Sequence, residues 1–357
     1  LPYVATARAG VARLAELLAA YGTYESNGII ISDVDEIWYV ETIGGHHWIA
    51  KRVPDNMYVT MPNQLGIDSF DFEDAFGERE NYMCSVDMKQ FVADNHLDLT
   101  LEGHAFNSRE AFGSHSDSDH VYNTPRAWAM QRFLNPHAIQ WDASDALLTP
   151  ASDDIPWGRV PERKVTIEDV KYALSLHYQG TRYDPYGRDG AATRGMYRPI
   201  GINRNSQLSV VEIRPDVDDR YAAIQWLAFG SNVFNALVPF YANVTTTPEY
   251  LSNTTAQVTT ESFYWANRII AGLADAHFHE CQAGIERYQE KMGGIGHQII
   301  HETDAAADQQ VADVKPLLEA GNQKIADYLK RETDSLLSKV LYEASMGMKN
   351  GFSKDDM

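Results

Sequence analysis

The chain has 357 residues, 44% hydrophobic and 11% aromatic, which is enough apolar material for a sizeable core and excludes a disordered polypeptide. Against 30 basic residues stand 50 acidic ones, a formal charge of −20 that repels phosphate backbones and anionic lipid, so no nucleic acid and no membrane surface is expected as a partner. No apolar run reaches the roughly 18 residues of a membrane span. The two cysteines, Cys84 and Cys281, lie far apart without CxxC spacing, which argues against a disulfide framework and for a reducing, cytoplasmic setting.

Residues 3–21 carry Val4, Ala7, Val11, Leu14, Leu17 and Leu18 at three- and four-residue steps, one face of an amphipathic helix, with Gly22 just past its end. Four short β-prone runs follow, at 28–31, 36–43, 46–52 and 57–61. Gly44-Gly45 between two of them predicts a two-residue hairpin turn, since both positions can take positive φ. A helix leading into an antiparallel meander predicts helix packed on sheet, an α+β arrangement. Helices are expected over 86–95 and 125–134. Thr166-Ile167-Glu168-Asp169 has the form of a capping box opening a helix to about residue 177, with Asp where Glu or Gln is usual. Residues 181–198 read as loop, 208–213 and 221–229 as strands, and 243–260 as a surface connection. From about 261 to 348 proline almost vanishes and helical spacing dominates, as in Ile325, Leu329, Leu336, Leu337 and Val340, predicting two or three long helices. Residues 345–357 read as a frayed tail.

Three segments carry a family resemblance. The first runs from Asp35-Glu36-Ile37-Trp38-Tyr39-Val40-Glu41-Thr42-Ile43-Gly44-Gly45-His46-His47-Trp48 to Pro62-Asn63-Gln64-Leu65. The second is Tyr122-Asn123-Thr124-Pro125-Arg126-Ala127-Trp128. The third begins at Arg198-Pro199-Ile200-Gly201, resumes at Gln225-Trp226-Leu227-Ala228-Phe229-Gly230 and closes with Asn243-Val244-Thr245-Thr246-Thr247-Pro248. In this order and over nearly the whole chain, the sequence resembles the C69 dipeptidases, relatives of the penicillin V acylases and bile salt hydrolases. The resemblance implies the N-terminal nucleophile (Ntn) hydrolase αββα sandwich, two antiparallel sheets between helical layers. With the change of composition near 261, part of that domain is expected over 1–260 and a helical C-terminal extension over 261–357. It also implies hydrolysis of a dipeptide substrate by an N-terminal cysteine exposed by self-processing. That cysteine, with an Arg and an Asp shortly after it, is not among these residues, so a separate N-terminal segment carrying the Cys nucleophile is an expected partner. A homo-oligomer is the expected assembly, and the extension is expected to shape the pocket rim or a subunit interface. No metal or organic cofactor is needed by such chemistry.

An N-terminal cysteine works because its own α-amine, with a reference pKa of about 7.7–8.0, can take the thiol proton near neutrality. Attack on the peptide carbonyl creates an oxyanion that needs a preset donor. Asn63, after the fourth β-prone run, stands where the family places an oxyanion-hole Asn; taken alone it would pass as a turn residue after Pro62. Arg126, at the start of its helix, corresponds to an Arg that steadies nucleophile and amine, and a cation there is otherwise unfavourable to the helix dipole. Glu41, His46 and His47 lie on the hairpin, where alternation sends the two histidines to opposite faces and a structural role is expected. Trp38 and Trp48 read as core.

Other constellations fail on inspection. His297 and His301 have zincin-like spacing, but Gln298 stands where a base is needed. His277, His279 and Cys281 alternate on a helix and point apart, and residues 114–120 read as a solvated polar turn. Cys84 is internal and has no free α-amine. Two other functions fit the same residues: an acylase-type amide hydrolase, and a catalytically inactive ligand-binding relative.

Overall fold

The computed structural model of the protein describes residues 3–141, 146–188, 190–309 and 312–350. Residues 1–2 and the end of the expected tail, 351–357, lie outside them. The chain forms two compact units, Leu1–Val165 with Met196–Arg198, and Thr166–Gly195 with Pro199–Met357.

The first unit opens with α1 (Ala7–Tyr21), capped by the Thr6 side chain on Ala9 N–H and closed at Gly22, whose φ of +68° suits a residue without Cβ. Strands β1 (Gly28–Ser32), β2 (Ile37–Gly44) and β3 (His47–Arg52) form the expected antiparallel meander. Strand β2 is buried on both faces, and its alternation divides two cores. Trp38 and Val40 join Val11 and Leu18 of α1, with Trp48 and Ala50 of β3, while Tyr39 faces Ile67, Phe70, Met88 and Trp157.

Two expectations need correction here. The hairpin turn is Gly45-His46, not Gly44-Gly45, because Gly44 pairs with His47 across a register shift after Thr42. The Gly45 carbonyl accepts from Thr23 N–H at 2.7 Å, which draws the tip back onto the end of α1. Both glycines keep positive φ, +143° and +57°. The run at 57–61 does not complete the meander. Only Tyr58–Val59 (β4) is extended, and it pairs with β6 (Gly158–Arg159); the fourth strand of the sheet is β5 (Tyr82–Cys84). A turn closed by Met57 N–H on Pro54 carbonyl carries the chain out of the sheet first. Short helices α2 (Phe72–Phe76), α3 (Met88–Asp94), α4 (Ser108–Phe112) and α5 (Asp119–Tyr122) precede α6 (Thr124–Leu134), which begins with Pro125 in its first turn.

In the second unit the capping box forms. Thr166 Oγ1 accepts from Asp169 N–H at 3.2 Å and Asp169 Oδ2 from Thr166 N–H at 2.9 Å, opening α7 (Ile167–Ala173), which stops short of residue 177. Strands β7 (Gln207–Ile213), β8 (Ala223–Phe229) and β9 (Val238–Tyr241) make an antiparallel sheet in that order. The surface connection contains α8 (Glu249–Ser252), and three helices follow: α9 (Phe263–Ala274), α10 (Phe278–Ala307) and α11 (Lys315–Met346). These helices share one core with the sheet, in which Ile224, Trp226 and Val238 meet Ile270, Met292, Leu318 and Leu329. The compositional boundary at 261 therefore lies inside this unit. Asn322 of α11 caps the edge strand, its amide accepting from Tyr241 N–H at 2.8 Å and donating to Tyr241 carbonyl at 3.1 Å. The architecture is α+β, with antiparallel sheets covered by helices.

Candidate active site

Asn63 and Arg126, 63 residues apart, meet in the first unit: Arg126 Nη2 donates to Asn63 Oδ1 at 2.8 Å. The same nitrogen donates to Asn123 Oδ1 at 2.6 Å, and Nε to the Tyr122 carbonyl. A guanidinium has no acceptor, so the atom Asn63 turns toward it must be its carbonyl oxygen. The amide nitrogen, a double donor, then faces the other way on an exposed side chain. That is the orientation an oxyanion donor requires.

The pair is held by a ladder between α6 and the chain around β4. Tyr58 OH donates to Asn135 Oδ1 at 2.6 Å, and Gln131 Nε2 donates to Thr60 Oγ1 at 3.0 Å. Asn63 and Arg126 form the third rung. Gln131 is fully buried and also donates to the Pro156 carbonyl at 2.7 Å, while its Oε1 accepts from Arg159 Nε at 2.8 Å. Both heteroatoms of this amide are thus used in tying the helix to β4 and β6.

Behind Arg126 stands Asp119. Its carboxylate accepts from the Ser114 and Ser116 hydroxyls, from Ser116 N–H at 3.0 Å and from Asn123 Nδ2 at 2.6 Å. Burial pushes its pKa up, but these hydrogen bonds outweigh burial and carry it down to about 2. A fixed charge therefore orients Asn123, whose oxygen in turn faces Arg126. In the polar stretch 114–120 the Ser114 and Ser116 hydroxyls go to Asp119 and that of Ser118 pairs with Ser116, while His115 and His120 lie 3.3 and 2.8 Å from Asp153.

The two hairpin histidines separate because His46 lies in the turn and His47 opens β3. His46 Nδ1 lies 2.7 Å from the Leu18 carbonyl, and His47 stacks on Phe91 with Nε2 3.2 Å from Asp87. Glu41 is buried and accepts from the N–H groups of Gly66 and Ile67. Trp38 and Trp48 are core, and His297 is engaged with Glu168 at 2.7 Å. Neither cysteine has the surroundings of a nucleophile. Burial pushes the Cys84 thiol up to about 12 and raises that of Cys281 as well. Among the described residues no group of three or more His, Cys, Asp or Glu is placed to hold a metal ion.

The second unit contains a cavity of about 640 Å³ walled by Tyr186, Trp226, Phe278 and His177, with Lys171 and Ser175 at one side. The Lys171 ammonium donates to Ser175 Oγ at 2.8 Å and to the Asn232 carbonyl, and burial pulls its pKa down to about 7. Nothing in the sequence reading pointed to this cavity, nor to the Asp119–Asn123 support, because both depend on contacts formed only in the fold.

The family model described as Peptidase family C69 matches residues 1–291. A dipeptidase of Bifidobacterium longum (strain NCC 2705) is 56% identical, with all of this chain and 74% of the relative covered. A probable dipeptidase A of Streptococcus pyogenes serotype M18 (strain MGAS8232) is 50% identical, with 100% and 72% covered. Dipeptidase A of Lactobacillus helveticus is 42% identical, with 96% and 70% covered. The fold is α+β and the chain belongs to a peptidase family. That family is peptidase family C69.

Proposed function

We propose that this chain serves a dipeptidase of broad specificity, supplying the oxyanion donor Asn63 and its support Arg126 to an N-terminal cysteine carried by sequence outside these residues. In this reading the chain contributes antiparallel strands and covering helices to an Ntn-hydrolase αββα sandwich. The observation that carries it is the 2.8 Å contact from Arg126 to Asn63 Oδ1, which leaves the Asn63 Nδ2 hydrogens turned outward. The names of the relatives supply the substrate class, dipeptides.

The cysteine thiol gives its proton to its own α-amine, and the sulfur adds to the carbonyl carbon of the dipeptide. The carbonyl π pair moves onto oxygen, where Asn63 Nδ2 donates to the new charge. Collapse of that oxyanion breaks the C–N bond, the leaving amine takes the proton back, and water then hydrolyses the thioester. Arg126 acts by holding the Asn63 amide and by favouring the thiolate over the thiol. Both cysteines of this chain stand outside the reaction. With both unpaired, a reducing compartment suits the protein.

The test uses the complete enzyme. Cys84→Ala and Cys281→Ala should each keep dipeptide turnover within about twofold of wild type, since neither thiol reacts. Alkylation with iodoacetamide should abolish turnover and label the N-terminal cysteine. Loss of activity on replacing Cys84 or Cys281, with the fold intact, would sink the assignment.

A further inference from the structure

Glu41 sits in the middle of β2 with 1% of its surface exposed. One carboxylate oxygen, Oε1, accepts from two consecutive backbone N–H groups, Gly66 at 2.5 Å and Ile67 at 3.2 Å. The other, Oε2, is enclosed and has no partner. Packing alone does not ask for a carboxylate here, because an apolar side chain would fill the strand without the cost of desolvating a charge. What Glu41 does is grip the segment that begins at Asn63. That segment is tightly folded: Gln64 N–H donates to the Pro62 carbonyl at 2.7 Å, and a Cβ at Gly66 would lie 2.8 Å from Met61 Cε.

We propose that Glu41 is a positioning residue for Asn63, its carboxylate clamping the backbone of Gly66 and Ile67 so that the Asn63 amide meets Arg126 on one side and the oxyanion on the other. The inference rests on the oxyanion role of Asn63. Asn63 is thus held from two directions, through its side chain by Arg126 and through its following backbone by Glu41. The charged groups around Glu41 are Arg109 of α4, which favours its ionised form, and Asp68, which opposes it; Lys51 of β3 and the Tyr39 hydroxyl also interact with it. Burial outweighs the rest and lifts the Glu41 pKa to about 7. Protonation weakens acceptance by Oε1, so the clamp slackens as pH falls through that value.

The experiment is a double-mutant cycle on the complete enzyme with Glu41→Gln, Asn63→Ala and the pair, reading kcat and KM for one dipeptide from pH 5.5 to 8.5. Glu41→Gln should lower kcat about tenfold or more with KM within about twofold, and should cost little further once Asn63 is alanine. The acid limb of kcat should also become less steep in Glu41→Gln, because the N-terminal amine still titrates there and Glu41 no longer does. Where Glu41→Gln fails to fold, Glu41→Asp enters the same cycle; it keeps the charge on a shorter stem, so kcat falls while the acid limb stays as steep. If Asn63→Ala is strongly impaired and the loss from Glu41→Gln multiplies with it, Glu41 does not act through Asn63 and only this proposal fails. If Asn63→Ala leaves kcat unchanged, the oxyanion reading fails and takes this one with it.

Discussion

At Arg126 a single guanidinium sets two amides, because it can only donate and both Asn63 and Asn123 must therefore turn an oxygen toward it. Lysine carries the same charge but no planar fork. Arg126→Lys is expected to lower kcat about tenfold or more, with the circular dichroism spectrum unchanged. Full activity in that variant would mean that charge alone suffices. Glu41 makes a separate prediction about stability. Its pKa rises from 4.5 to about 7 on folding, so the native state binds the proton more tightly than the unfolded chain. Its contribution is therefore fully present below pH 4.5 and is lost as pH rises to 7, by roughly 3 kcal/mol. Urea unfolding at pH 5 and pH 8 should show wild type losing that much relative to Glu41→Gln, which has no such proton; parallel changes in the two proteins would contradict it. Asn63 and Arg126 were legible in the sequence because their neighbours carry a family pattern. Glu41 was legible only as a strand residue, since alternation fixes a face but says nothing of two N–H groups 25 and 26 residues further on.

Between α6 and β4 the three rungs pair residues 58, 60 and 63 with 135, 131 and 126, so the ends of one helix and one short strand place the candidate site. Gln131 is the middle rung. Gln131→Leu keeps its volume but strips partners from Thr60, the Pro156 carbonyl and Arg159, which is expected to cost about 1–3 kcal/mol for each buried group left unpaired. Thermal unfolding would measure the loss, and an unchanged melting temperature would show that the ladder is not holding the helix. Local signals read well at this scale: the capping box at Thr166, the proline-led start of α6 and the glycine after α1 all stand where the sequence puts them. The run at 57–61 misled because its β propensity is real but its partner is not the neighbouring strand. Pairing with Gly158–Arg159 is a long-range event that no local pattern records.

Over the whole molecule, helices α9, α10 and α11 are the cover of the β7–β9 sheet and share its core. Removing everything after Glu261 would strip Phe263, Ile270, Met292, Leu318 and Leu329 from that core and leave Tyr241 without its Asn322 cap. The shortened chain is expected to lose the cooperative unfolding of the second unit and to aggregate; a soluble product with native near-ultraviolet dichroism would contradict this. Composition showed these helices as a block, because proline disappears and helical spacing begins near 261. It could not show what they pack on, since a helical stripe looks the same whether it meets a sheet or another subunit. The central claim concerns one side chain, and the kcat of Asn63→Ala in the complete enzyme tests it most directly. A fall of about 10²–10³ with KM little changed is expected, the loss typical of one oxyanion donor. Turnover within twofold of wild type would contradict the account.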